Sequence, residues 1–405
     1  MTQLDTTDLA DAGLSEEAQS DLLRRGYSRR SFGRILGLLA AGPGVAGVAG
    51  AAYAQTSATN PHAKTDAGAA PKAVAAKIHI GANECWTGPL EPGAKAAAAA
   101  VATGNRYTGS QRQDFVNAVV AVEKVPASYV IPWAGSSDPL SRIVVTYCSP
   151  TRGLVIANPT FELAPSVARY VGAKVSEVPL TSDYRHDVKA MLAADPNAGV
   201  YYICTPNNPT STITPLADVE WLLANKPAGS IVLLDEAYIH FAGVPVGSYL
   251  AAQDKDIIVL RTFSKLFGMA GMRMGLTIAR PDLMMKTMRY DGMMASYALP
   301  NPSVVCGAVS LVQADLIAQR RAEMVRVRDD TLALLDKRKI TYIPPKANFF
   351  MVDWKKPAKE VQTAFAGEGI EIGRSWPIWP NISRITVGSG QEMDAFKAAV
   401  VKLNL

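Results

Sequence analysis

The stretch Ile257-Ile258-Val259-Leu260-Arg261-Thr262-Phe263-Ser264-Lys265-Leu266-Phe267-Gly268-Met269-Ala270-Gly271-Met272-Arg273-Met274-Gly275 decides how the rest of the chain is read. Its first four residues make a short apolar run, the pattern of a buried strand. A lone lysine follows among small, hydroxylated and glycine residues, with Arg273 eight residues further on. A lysine in a partly dry pocket gives up its proton readily and adds to carbonyl carbon. Hydroxyls beside a guanidinium suit a phosphate dianion. On this stretch alone, a Gly-rich turn carrying one exposed lysine is an equal reading.

Working outward, short apolar runs recur at Leu154–Ala157, Lys174–Val178, Val200–Cys204 and Ile231–Leu234, separated by helical patterns at Ser141–Tyr147, Phe161–Tyr170, Asp187–Ala194 and Leu216–Leu223. Continuous apolar strands alternating with helices predict an α/β fold with a mostly parallel sheet covered on both faces. In such folds ligands sit beyond the carboxyl ends of the strands. Polar clusters stand at those ends: Asn158-Pro159-Thr160-Phe161, Asn207-Asn208-Pro209-Thr210 and Asp235-Glu236-Ala237-Tyr238. Gly135-Ser136-Ser137 before a helix is either an anion site at the positive helix end or a plain N-cap. After Pro300 a long helix is expected over residues 302–338, then short strands at 341–343, 349–352, 370–372 and 384–388 and a closing helix. This is an α+β unit.

A carbonyl and a phosphate on one small molecule describe pyridoxal 5'-phosphate, and the strand-end residues suit it. Asp235, ending a buried strand, needs a partner, and a protonated pyridine nitrogen would serve. Tyr238 and Asn208 are donors for the ring's phenolate oxygen, and Phe161 could stack on the ring. Ser136, Ser137, Ser264 and Arg273, with Thr262, would cup the phosphate. Singly, Asp235 could be a cap, Asn208-Pro209 a turn and Phe161 core. Jointly they favour the cofactor.

These motifs, with Arg384-Ile385-Thr386-Val387-Gly388, resemble the fold-type I pyridoxal-phosphate aminotransferases of class I/II, in their histidinol-phosphate aminotransferase-like branch, from about Ile78 to the C-terminus. The resemblance implies a large cofactor domain (106–300) with a seven-stranded-type sheet, and a small α+β domain (78–105 with 301–405). It implies that Lys265 forms the Schiff base and moves protons, with Asp235 and Tyr238 beside it. Arg384 is then the clamp on the substrate carboxylate. Tyr107, in Asn105-Arg106-Tyr107, would reach the partner subunit's cofactor phosphate in a homodimer. The segment Asn83-Glu84-Cys85-Trp86-Thr87-Gly88-Pro89 corresponds to one that lines the family's substrate pocket, so Asn83 and Trp86 become substrate candidates. Trp86, Cys85, Ser211, Phe161 and Pro139 depart from the family pattern. Arg374, in Arg374-Ser375-Trp376-Pro377, is either a contact for an acidic or polar substrate end or a solvated arginine.

The implied activity is amino transfer between an amino acid, or an amino-alcohol phosphate, and a 2-oxo acid. A decarboxylase, lyase or oxidase on the same cofactor is the alternative, and a non-catalytic cofactor-binding protein is less favoured because the lysine is intact.

The first residues read differently. Ser28-Arg29-Arg30-Ser31-Phe32 precedes a Gly/Ala/Leu stretch that closes on Ala52-Tyr53-Ala54. This matches a twin-arginine export signal over residues 1–54. Six glycines between Gly33 and Gly50, and Pro43, argue against a membrane anchor. The expectation is a periplasmic protein cleaved near Ala54/Gln55 after engaging the twin-arginine export machinery, with residues 55–77 a flexible linker. The remainder carries thirty-six Lys/Arg against thirty Asp/Glu, about +6, without a basic run interleaved with aromatics. That excludes a nucleic-acid footprint. Cys85, Cys148, Cys204 and Cys306 show neither a disulfide framework nor metal-ligand spacing, and read as free thiols.

Overall fold

The computed structural model describes residues 16–40, 78–107, 109–288 and 299–405. The expected cleavage pattern at 52–54 and the linker lie outside them.

The strands are β1 Ile78–Ile80, β2 Val130–Trp133, β3 Leu154–Asn158, β4 Val175–Pro179, β5 Val200–Cys204, β6 Ile231–Asp235, β7 Ile257–Thr262, β8 Gly275–Ala279, β9 Thr341–Ile343, β10 Phe349–Asp353, β11 Ile370–Ile372, β12 Ser375–Trp376 and β13 Trp379–Thr386. The helices are α1 Glu16–Arg24, α2 Arg29–Ala40, α3 Glu91–Ala100, α4 Ser110–Glu123, α5 Ser137–Tyr147, α6 Leu163–Tyr170, α7 Val188–Ala194, α8 Leu216–Asn225, α9 Ile239–Ala242, α10 Ser248–Ala252, α11 Pro281–Met288, α12 Asn301–Leu311, α13 Ala314–Lys337, α14 Ala358–Gly367 and α15 Gly390–Lys402.

The large sheet has seven strands in the order β2-β8-β7-β6-β5-β3-β4. Strands β4, β3, β5, β6 and β7 pair in parallel, while β8 runs antiparallel to both β7 and β2. The parallel strands read as unbroken apolar runs because both of their faces are buried. Val232 and Leu234 enter one core with Val259 and Tyr201, while Ile231 and Leu233 enter the opposite one with Ile258 and Tyr202. β2 and β8 were not anticipated from the sequence. Pro132 breaks the pattern of β2, and an edge strand tolerates it because one side of its backbone is unpaired.

The small unit holds a four-stranded antiparallel sheet, β12-β13-β10-β9, and the parallel pair β1-β11. Its core gathers Phe349, Phe350, Phe365, Phe396 and Ile80. The expected domain limits shift here. Leu90, Ala97 of α3 and Val304, Cys306 and Leu311 of α12 join the large-domain core, so residues 90–100 and 301–311 pack with the large unit. The helix expected over 302–338 is two helices, α12 and α13, meeting at a bend of 86°. No single described helix is long and apolar enough to cross a membrane.

One ion triad pins the site-bearing strands. Arg261 of β7 donates from Nε to Glu236 Oε2 at 2.7 Å and from Nη1 to Glu123 Oε1 at 2.8 Å. Gly247 N and Ser248 Oγ complete the two carboxylates, each at 2.7 Å. Arg261 and Glu236 are 2% and 0% exposed, so water screens the pair little. Burial pushes the Glu236 carboxyl up. Against the same burial, Arg261 and Ser248 hold Glu123 below the ordinary carboxylate range. Removing the cation strands two buried anions. Arg261→Met is expected to lower the unfolding free energy by about 3–5 kcal/mol, read from urea denaturation. A loss below about 1 kcal/mol, the level of a surface pair, would contradict this account.

Candidate active site

Strand ends β3, β5, β6 and β7 and the N-terminus of α5 surround a cavity of about 230 Å³. Its lining includes Ser136, Ser137, Phe161, Asn208, Asp235, Tyr238, Thr262, Ser264, Lys265 and Arg273, so every cofactor candidate read from the sequence except Tyr107 meets there. Tyr107 is fully exposed on this chain.

Asp235 closes β6 on the face opposite Glu236. It is 3% exposed. Its Oδ2 accepts from Tyr202 Oη at 2.8 Å and its Oδ1 from Ala237 N at 3.0 Å. Burial pushes this carboxyl up, while Tyr202, the Ala237 N–H and Lys265 pull it down. A buried carboxylate held by neutral donors is a seat for a cation.

Lys265 follows β7 and is half-buried. Its Nζ donates to Asn83 O at 3.1 Å and lies 5.3 Å from the Tyr238 ring centre. Burial, reinforced by the charges of Arg384 and Arg273 and opposed by Glu84 and Asp235, brings its pKa down to about 8. The ordinary lysine value is near 10.4. Tyr238 Oη accepts from Asn83 Nδ2 at 3.1 Å, and burial pushes its own pKa up, so it stays a hydroxyl donor.

The phosphate-side cradle is built from small residues. Ser136 makes no side-chain cap bond to α5, so the plain N-cap reading of this serine does not hold. Asp138 is engaged with Arg142 instead, at 2.9 Å. Pro139 lies in the first turn of α5, where backbone N–H groups have no helical partner to lose. Thr262 Oγ1 donates to Ser264 Oγ at 2.9 Å, and Arg273 Nη1 donates to Ala270 O at 2.8 Å. Gly135, at φ 89°, lets the guanidinium in: a β-carbon there would stand 2.3 Å from Arg273 Nη2.

Asn207 and Asn208 divide their labour. Asn207, fully buried, ties β3 to β5. Its Oδ1 accepts from Thr160 Oγ1 at 2.8 Å, and its Nδ2 donates to Pro159 O at 3.1 Å. Asn208 faces the cavity, and its Oδ1 accepts from Arg384 Nη1 at 2.8 Å. Arg384 Nη2 donates to Gly81 O at 2.8 Å, while its buried Nε has no partner. Ser211, a departure from the family pattern, takes φ 64°. Its Oγ accepts from Lys346 N at 3.1 Å and Ala347 N at 2.7 Å, which offsets the left-handed backbone.

None of the four substrate candidates, Arg384 included, lines the cavity. Asn83 is a positioning residue: besides Tyr238 and Lys265, its N–H donates to Thr386 Oγ1 at 2.9 Å. Trp86 packs on the small-domain core. Arg374 pairs with Glu162. Sequence reasoning missed Tyr202, Glu84, Cys204 and Glu162. Tyr202 had a readable signal, since it lies on the strand beside β6 and shares a core face with the approach to Asp235. The four cysteines are free, three of them buried. Among the described residues no cluster of His, Cys, Asp or Glu is arranged for a metal.

The cradle, the seat for a cation and the low-pKa lysine together fit a small aldehyde carrying a phosphate and a ring nitrogen. Pyridoxal 5'-phosphate meets each requirement. Comparison with known proteins agrees. Residues 75–400 match the model for aminotransferase class I and II, and the chain belongs to that family, whose members use pyridoxal phosphate. It is 31% identical to an aromatic amino acid aminotransferase of Rhodococcus erythropolis, over 79% of this chain and 88% of that one. It is 29% identical to a histidinol-phosphate aminotransferase of Symbiobacterium thermophilum, over 80% and 90%. The solved histidinol-phosphate aminotransferase of Sinorhizobium meliloti, in complex with pyridoxal-5'-phosphate, has the same fold, with a TM-score of 0.74 and 23% identity over 81% and 91% of the two chains.

Two outcomes are expected. Because the folded pKa of Lys265 is depressed, its neutral amine accumulates as pH rises through about 8. Reductive trapping of pyridoxal phosphate by cofactor-stripped protein should therefore climb with a midpoint near 8. A midpoint at the ordinary lysine value would refute the buried setting. Gly135→Ala should weaken cofactor binding roughly tenfold or more by displacing a charge-assisted phosphate contact, measured by absorbance titration.

Proposed function

We propose that this aminotransferase acts on an amino acid with an uncharged, aromatic-compatible side chain, working as a homodimer exported to the periplasm. When bound, pyridoxal phosphate supplies the electron sink that makes an α-proton removable. The chain does the rest. Asp235 keeps a positive charge on the ring nitrogen. Arg384 orients the substrate carboxylate, with its unpartnered Nε as a further donor. Lys265, with its pKa brought down to about 8, takes and returns the α-proton at Nζ.

The observation that carries the substrate reading is the state of Arg374. Its guanidinium is paired with Glu162, which also accepts from Trp376 Nε1 at 2.8 Å. Arg374 Cζ stacks 4.4 Å from the Trp376 ring centre, and Arg384 Cζ lies 5.6 Å from the same ring. A phosphate monoester carries nearly two negative charges and would have to break the Glu162 pair to be neutralised. An aromatic or apolar side chain makes no such demand on the pair. Exposure of Tyr107 supports the homodimer, since a partner's cofactor is a ready use for it. The Arg29-Arg30 motif and the Ala52-Tyr53-Ala54 pattern support twin-arginine export with cleavage near Gln55.

Purified protein given candidate amino acids should accumulate the amine form of the cofactor and release a 2-oxo acid. Carbon dioxide release without one would indicate decarboxylation. Lys265→Ala should abolish turnover. Glu162→Gln frees Arg374 and should lower KM for anionic side chains or phosphorylated amines about tenfold, leaving aromatic donors nearly unchanged. Equal effects on both substrate classes would remove Glu162 from specificity.

A further inference from the structure

Residues 16–40 lie upstream of the family match, which begins at residue 75, yet they are built into the large domain. Leu22, Tyr27, Phe32 and Ile35 are each no more than 2% exposed. They share one core with Leu140, Ile143 and Val144 of α5. A second, polar set of contacts fixes their position. Arg25 Nη2 donates to the carbonyl oxygens of Val145 and Thr146 at 2.6 Å and of Cys148 at 2.9 Å. Tyr27 Oη also donates to Cys148 O, at 2.6 Å. The last carbonyls of a helix have no helical partner and form the negative end of its dipole. Arg25 satisfies both needs at the C-terminus of α5.

We propose that this face of the large domain is a receptor for the chain's own leader, with residues 22–35 as its occupant, and that docking competes with export. Phe32 belongs to the Ser-Arg-Arg-x-Phe pattern, and Ile35 opens the apolar stretch behind it. Both are turned into the core when the segment is docked, so an export receptor can read them only after release. The docking stands on the contacts alone. The competition rests on the twin-arginine reading given above.

The test uses cofactor-loaded full-length protein with a site-specific protease sequence inserted after Gln55. After cleavage, the N-terminal fragment should co-elute with the enzyme on gel filtration. Arg25→Ala should speed its release roughly tenfold, through loss of charge-assisted hydrogen bonds, and Leu22→Asp should abolish retention. A parental fragment that separates as fast as the Leu22→Asp fragment would overturn the docking. In cells, Leu22→Asp should raise the exported fraction above the parent's, and an equal fraction would overturn the competition. A double Arg29→Lys, Arg30→Lys chain separates the two ideas. Unchanged export in that chain would sink the twin-arginine route and the competition with it, while fragment retention would still decide the docking.

Discussion

Two neighbouring acids at the end of β6 point to opposite faces of the sheet, and the large domain is organised around that opposition. Glu236 goes to the Arg261 triad, which locks β6, β7 and α4 together through buried charge. Asp235 goes to the cavity, where Tyr202 and a backbone N–H hold it without neutralising it. Period-two alternation makes this inevitable once the strand is formed. The clamp on one face fixes the position of the charge offered on the other. Lys265 follows four residues after the clamping arginine, so the same interaction also sets where the reactive amine emerges.

The cavity is held in shape by residues that do not face it. Asn207 joins the ends of β3 and β5, and Gly135 makes room for Arg273. Ser211 bonds the backbone at 346–347 and so ties the Asn-Asn-Pro-Thr loop to the chain entering β10. Such supporting contacts keep a constellation in place when its own members make few bonds to one another. The Glu162–Arg374–Trp376 cluster is a similar supporting contact, in which one carboxylate accepts from both the guanidinium and the indole.

The sequence made the parallel strands, the strand-end clusters and most of the residues that line the cavity legible, because continuous apolar runs and isolated polar residues after them are local signals. Strands β2 and β8 were hidden: one contains Pro132, and the other follows directly on the glycine-rich loop. The division between the units was hidden as well. Ala-rich α3 and apolar α12 carry no mark of which core they enter, and only their packing assigns them. Glu162 carried no local signal, because its pairing with Arg374 spans more than two hundred residues. The polar opening segment gave no hint of docking, since its four buried side chains are spread over fourteen residues across two short helices.

The hydrogen bond from Lys265 Nζ to Asn83 O belongs to a short chain of contacts that ends on Thr386 of the small-domain sheet. Protonated lysine is the better donor to that carbonyl, and the carbonyl's position is set by where the small domain sits. Burial and the charge of Arg384, on the same strand as Thr386, are the two main causes that hold the proton affinity of the lysine down, so withdrawing that strand raises it unless the loss of this hydrogen bond outweighs them. Domain position and the basicity of one amine are therefore two readings of a single equilibrium. Arg384, on that same strand, donates to Gly81 O, a second tie between the strand and the segment that carries Asn83.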